Sequence, residues 1–170
     1  MPTKQSKGLK RNTIDKYYTT SKTVDKCLSI FKSVININST DLIIEPSAGN
    51  GAFIKEIKSL TKYYKFYDLE PEHKEIEKQD FLELDFKIFE NKYSLIHFIG
   101  NPPFGRQSSL AIKFIKKCSS IADTISFILP KSFKKESLKK YFPRYFHLVS
   151  ETDLPENSFT VNNEVYNVPC

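Results

Sequence analysis

Leu95-Ile96-His97-Phe98-Ile99-Gly100-Asn101-Pro102-Pro103-Phe104 is the stretch from which the fold can be read. An apolar run of strand length stops abruptly at Gly100, and a stiff Asn-Pro-Pro turn follows. Unbroken apolarity over a few residues suits a strand buried on both faces of a parallel sheet. Each proline fixes its own φ and lacks an N–H, and the residue before a proline is pushed into extended geometry. The product is a rigid arm at the carboxyl end of a buried strand, the edge where open α/β sheets bind ligands. There the Asn101 side-chain oxygen and the Pro102 carbonyl form a pair of acceptors matched to an amino group with two hydrogens to give. Phe104, just past Pro103, offers a face to a flat ring. The plain alternative is a turn followed by a core aromatic.

Upstream, Asp41-Leu42-Ile43-Ile44-Glu45 predicts another short buried strand, and Pro46-Ser47-Ala48-Gly49-Asn50-Gly51 the loop after it. Helical periodicity resumes from Ala52 to Leu60. Strand, glycine loop and helix make the first half of a nucleotide-type βαβ unit. Ile54 stands where the dinucleotide fingerprint needs a third small residue, so the loop suits a ligand without a pyrophosphate. Tyr64 to Asp68 predicts the next strand, and its terminal acid lies nineteen positions after Gly49. An acid at that place holds ribose hydroxyls in such folds, whereas a bland surface turn before Glu70-Pro71 is the competing reading. A weak strand near Glu75 to Lys78 leads to Asp80-Phe81, an acid and an aromatic that could pair with and stack on an adenine.

The chain has 170 residues, 39% hydrophobic and 27% charged, the size and composition of one globular domain. Residues 1–14 read as a flexible basic arm and 15–170 as a single domain. Val24, Cys27, Leu28, Phe31, Val34 and Ile35 fall at helical spacing, with Tyr17 and Tyr18 ahead of them as a candidate hydrophobic staple. No apolar run is long enough for a bilayer and the start is polar, so a cytoplasmic protein without membrane contact is expected. Three cysteines and three scattered histidines show no ligand spacing, and no metal is expected.

Leu110, Ile112, Phe114 and Ile115 predict a covering helix, and Thr124 to Pro130 a further buried strand. The segment after it carries Lys131, Lys134, Lys135, Lys139 and Lys140 among aromatics. Such a run reads either as the solvated face of a helix or as a phosphate-contacting patch. The net charge of +6 makes a polyanion a plausible partner. Strands are expected near Phe146 to Ser150 and Glu164 to Val168, with a polar loop between them.

Taken together, Glu45-Pro46-Ser47-Ala48-Gly49-Asn50-Gly51 followed by Asn101-Pro102-Pro103-Phe104 resembles the class I S-adenosylmethionine-dependent amino-methyltransferases, most closely those acting on adenine N6 of DNA or RNA. The resemblance runs from Tyr18 to Val168. It implies an α/β, Rossmann-like fold with a mostly parallel seven-stranded sheet and helices on both faces. It implies S-adenosyl-L-methionine as cofactor, lined by Tyr18 and Thr19 and cradled at its methionine end by the Glu45, Pro46, Ala48, Gly49 and Gly51 loop. Asp68 would hold the ribose and Asp80 and Phe81 the cofactor's adenine. Asn101, Pro102, Pro103 and Phe104 would be the catalytic arm, and nucleic acid the substrate. The chain carries nothing like a target-recognition domain, so a separate partner for that task is a further expectation. Some relatives with Asn-Pro-Pro-Tyr methylate protein glutamine, which is the alternative among enzymes, and a non-catalytic nucleic-acid-binding subunit is the alternative outside catalysis.

Overall fold

The structure is a computed structural model that describes residues 16–170; the arm read at 1–14 lies outside the described residues. The chain opens with β1 (Tyr18–Thr19) and α1 (Ser21–Val34). Thr20 caps α1, its hydroxyl accepting from the Thr23 N–H. Val24, Leu28 and Phe31 are buried along one stripe of the helix, as the spacing predicts. Next come β2 (Leu42–Glu45), α2 (Ile54–Leu60), β3 (Tyr63–Asp68) and the short β4 (Glu77–Lys78). β5 (Ile96–Gly100), α3 (Ser109–Cys118) and β6 (Thr124–Phe127) follow. The last elements are α4 (Glu136–Lys139), β7 (Phe159–Val161) and β8 (Glu164–Tyr166).

Five strands form a parallel sheet in the order β4-β3-β2-β5-β6. The chain builds outward from β2 to β4, returns to lay β5 on the other side of β2, and then adds β6. The order therefore reverses between β2 and β5, where such sheets open a crevice at their carboxyl ends. Strand alternation divides the core in two. Ile43, Phe66 and Ile99 point to the face covered by α1 and α2, packing with Leu28, Phe31, Phe53 and Ile57. Leu42, Ile44, Tyr67 and Phe98 point to the opposite face, against Phe81, Phe89 and α3's Phe114 and Cys118. Helices thus cover both faces, as expected. His97, in the middle of β5, is fully buried between Thr124 (2.8 Å) and Asp41 (3.4 Å) and serves as a hydrogen-bonded core residue.

Among the described residues the strands divide into two sheets rather than the one seven-stranded sheet expected. β7 and β8 join β1 in a separate antiparallel ribbon, order β1-β7-β8. Its hairpin turns on Asn162 and Asn163, both at positive φ (51° and 65°), which is the geometry a two-residue hairpin requires and Asn tolerates. The buried Phe159 ties the ribbon to the α1 face of the core. The expected strand at 146–150 is irregular, with Leu148 and Val149 about two-thirds exposed. It lies across a groove of about 740 Å³ from β6. Two backbone bonds close one end of that groove, Lys131 N–H to the Pro169 carbonyl and Leu154 N–H to the Cys170 carbonyl.

Candidate active site

The loops after β2 and β5 meet at the crevice. In the first, Gly49 (φ 54°) and Gly51 (φ 85°) adopt conformations that a side chain would strain. A Cβ on Gly51 would also lie 2.7 Å from Ile54 Cδ1. Backbone bonds lock the loop to its neighbours: Ala48 N–H donates to the Tyr67 carbonyl (2.8 Å) and Glu72 N–H to the Gly49 carbonyl (3.0 Å). Asp68, at the tip of β3, accepts from Gly49 N–H through Oδ2 and from Glu70 N–H through Oδ1, both at 2.8 Å. Its carboxylate therefore braces the glycine loop, and each oxygen keeps a lone pair for a ligand.

Glu45 ends β2 directly beneath this loop and is only 2% exposed. Burial pushes its carboxyl well above the ordinary range, and the nearby Asp68 charge adds to the shift. Among the described residues its Oε2 has no hydrogen-bond partner. Gly100, at φ 146°, packs against it so closely that a Cβ would lie 3.0 Å from Glu45 Cγ. The acid and the Asn-Pro-Pro arm are thus in contact through one glycine.

The arm is anchored at both ends. Ser47 donates to the Asn101 carbonyl (3.1 Å), tying the two loops together. Leu110 and Ala111 N–H groups, at the start of α3, both donate to the Phe104 carbonyl. Pro102 is buried and Gly105 turns the chain at φ 70°, where a Cβ would meet the Leu110 backbone at 2.9 Å. The Asn101 amide nitrogen donates to the Tyr17 carbonyl (3.2 Å) and the Thr19 hydroxyl (3.4 Å). That leaves Oδ1 buried and, among the described residues, without a donor. An unpaired buried acceptor costs about 1–3 kcal/mol, so an amide held in this orientation is poised for an incoming N–H.

The other predicted residues divide. Tyr18 lies over the loop, its ring about 3.7 Å from the place of a Gly49 Cβ, and its hydroxyl donates to Glu72. Thr19 is buried beside Asn101. Asp80 is exposed, and its Oδ1 caps the turn of 3₁₀ helix at Phe81–Glu83. Phe81 is 2% exposed and packed against Phe98 and Phe114, so its ring faces are taken by the core and its expected stacking on a ligand does not fit this packing. Phe104 is buried, with Tyr17 stacked on it.

The basic segment is partly neutralised by acids of the 151–153 stretch. Lys134 pairs with Asp153 (2.6 Å), Lys131 approaches the same carboxylate (3.8 Å), and Lys139 reaches Glu151 (4.0 Å). Lys131, Lys134 and Lys139 line the β6 groove. Lys135 and Lys140 are exposed.

Sequence reasoning missed Lys16, Tyr17 and Glu72. Lys16 pairs with Glu70 (2.8 Å) and Glu72 (3.3 Å), fastening the entry of the chain across the crevice. The hydrogen bond to Glu70 pushes the Lys16 ammonium up, and the Tyr18 hydroxyl holds Glu72 below the usual carboxylate range. The signal was the Tyr17-Tyr18 pair, which packs over the site instead of stapling α1. Among the described residues no group of three or more His, Cys, Asp or Glu stands close enough to hold a metal, and no helix is long and apolar enough to cross a membrane.

No family model matches the chain, and no curated protein matches it. Among solved structures it is similar to a candidate RNA methyltransferase of Pyrococcus horikoshii, at 21% identity and a TM-score of 0.50. The similarity covers 79% of this chain and 70% of that one, and it extends to the fold.

Proposed function

We propose that the chain is an S-adenosyl-L-methionine-dependent methyltransferase that modifies an exocyclic amino group, with adenine N6 in DNA or RNA as the target. The observation that carries this reading is Asn101 at the sheet's switch point, whose Nδ2 is engaged and whose buried Oδ1 has no hydrogen-bond partner among the described residues. The glycine loop fits the cofactor on this structure's own terms. Its glycines stand at positive φ, where side chains would strain the turn, the buried Glu45 carboxyl beneath it has one oxygen with no hydrogen-bond partner among the described residues, and the Asp68 carboxylate keeps acceptors for hydroxyls. The bound cofactor supplies an electrophilic methyl group.

The chain's own residues do the rest. Asn101 Oδ1 and the Pro102 carbonyl accept the two N–H bonds of the target amine. That geometry favours a pyramidal nitrogen, freeing a lone pair otherwise delocalised into the ring. Phe104 fixes the plane of the base. A strong general base is unnecessary, because the nitrogen loses its proton only after it has become cationic. Positioning and preorganised acceptors supply the rate. A base in a duplex must be flipped or already unpaired to reach such a pocket. The mixed charge of the Lys131–Lys140 stretch leaves Lys135 and Lys140 as its main phosphate contacts, and a separate partner supplies target recognition.

The test is transfer of a tritiated methyl group onto duplex DNA, single-stranded DNA, total RNA and protein, followed by hydrolysis. Label in N6-methyladenine supports the reading. Label in methylglutamine assigns the acceptor pair to protein, and cofactor binding without transfer to any fraction assigns a non-catalytic subunit.

A further inference from the structure

Three aromatic rings stand in series at the mouth of the site. Tyr17 stacks on Phe104 at a centroid distance of 6.3 Å and on Tyr166 at 5.4 Å, tilted 29° from each. Phe159 closes the side of the stack, edge to Tyr17 at 6.4 Å. Phe104 belongs to the rigid arm and Tyr166 to the ribbon strand β8, so the two outer rings are set by different sheets. The middle ring comes from the entry of the chain, one residue before β1. Flat rings favour such offset stacking whether they come from a side chain or a base.

We infer that Phe104 and Tyr166 form a slot for a flat ring, that Tyr17 fills it in the free protein, and that the target base takes Tyr17's place. Tyr166, which is 48% exposed, then becomes the second stacking surface for the base. This rests on the reading of Asn101 as the acceptor for a ring amino group, because the slot lies beside that residue. The Tyr17 backbone carbonyl already accepts from the Asn101 amide, so the strap orients Asn101 while its ring occupies the slot. Two features of the neighbouring chain keep the site folded when the ring leaves. The antiparallel pairing of Tyr18 with Thr160 and Thr19 with Phe159 anchors the strap just beyond Tyr17. On the other side Lys16 pairs with Glu70 and Glu72 in surface ion pairs, which contribute little to stability.

A self-filled slot lowers apparent affinity by the fraction of molecules in which it is open. Tyr17→Ala empties the slot and keeps the backbone carbonyl that orients Asn101, whereas Tyr17→Phe preserves the plug. The probe is 2-aminopurine riboside, whose fluorescence is quenched on stacking, titrated without any methyl donor. Tyr17→Ala should bind it roughly tenfold more tightly than the native chain, with Tyr17→Phe unchanged. Adding Tyr166→Ala to Tyr17→Ala should abolish that gain. Equal or weaker binding by Tyr17→Ala overturns the inference, as does a gain that survives loss of Tyr166. Absence of quenching in every variant overturns the slot. The separate tritium assay then shows whether the methyltransferase reading itself stands or falls.

Discussion

The loops after β2 and β5 reach the same crevice from neighbouring strands, yet they are built in opposite ways. Residues 46–51 owe their shape to glycines at positive φ and a net of backbone hydrogen bonds. Residues 101–104 owe theirs to two prolines and to anchors at each end. Each loop starts beside one buried oxygen that has no partner among the described residues, Glu45 Oε2 for the first and Asn101 Oδ1 for the second. A glycine loop admits a ligand by close backbone approach, and the Asp68 carboxylate that braces it suits hydroxyl donors. A rigid amide oxygen is directional and suits one N–H. On the proposed function the contrast assigns cofactor binding to one loop and methyl transfer to the other, so the two should break separately.

The largest effect should come from filling the cradle. Gly51→Val forces a β-branched residue to φ 85° and against Ile54 and His73, so calorimetric binding of S-adenosylmethionine should vanish while circular dichroism shows a folded chain. Full affinity in a folded variant would remove the loop from the site. Asp68→Ala is milder. It frees the Gly49 and Glu70 N–H groups and deletes the ligand's acceptor, and should cost about 1.5–3 kcal/mol of cofactor affinity, the worth of hydrogen bonds to a charged group. A loss of a few tenths would make Asp68 a surface turn residue.

How legible these parts were in the sequence follows from what each loop is made of. The cradle and the arm were readable because Gly, Pro and Asn have few structural uses after an apolar run of strand length. Phe81 was misread because an aromatic next to an acid looks the same whether its ring meets a ligand or the core; Phe98 and Phe114 settle the matter only in three dimensions. The strand expected at 146–150 does not form although Phe146, Leu148 and Val149 suit one: propensity alone does not dock it on the β6 edge, from which a groove separates it. The ribbon was missed in part for the opposite reason. β7 and β8 have three residues each, and the clue was the Asn162-Asn163 pair between them.

The basic segment offers a smaller effect that sharpens the division, since neither loop contacts it in the proposed mechanism. Lys135→Glu with Lys140→Glu should make the plot of log affinity for nucleic acid against log salt shallower by nearly 2, with cofactor binding unchanged. Lys134→Glu should do less, because Asp153 already neutralises that charge. An unmoved slope for the double variant would make the run a solvated helix face.

The smallest effect concerns the acid under the cradle. Glu45 holds its proton more tightly in the folded state than its ordinary value of 4.5, so the native state binds the extra proton. Its contribution to stability is therefore lost as pH rises from about 4.5 toward its raised folded value. Glu45→Gln keeps the shape and cannot ionise, so melting temperature should fall less with rising pH, and at pH 8 should exceed that of the native chain by roughly a few degrees. Parallel melting curves across that range would mean that the buried carboxyl has found a compensating partner.

The central claim stands on Asn101, and methyl transfer by Asn101→Ala measures it most directly. Transfer should fall roughly 100-fold or more, as for loss of one preorganised catalytic hydrogen bond, while affinity for S-adenosylmethionine changes far less. Asn101→Asp, which keeps an acceptor in nearly the same shape, should retain part of the activity that Ala loses. Equal transfer by the native chain and Asn101→Ala would contradict the account, leaving Asn101 a turn residue and the arm without its chemistry.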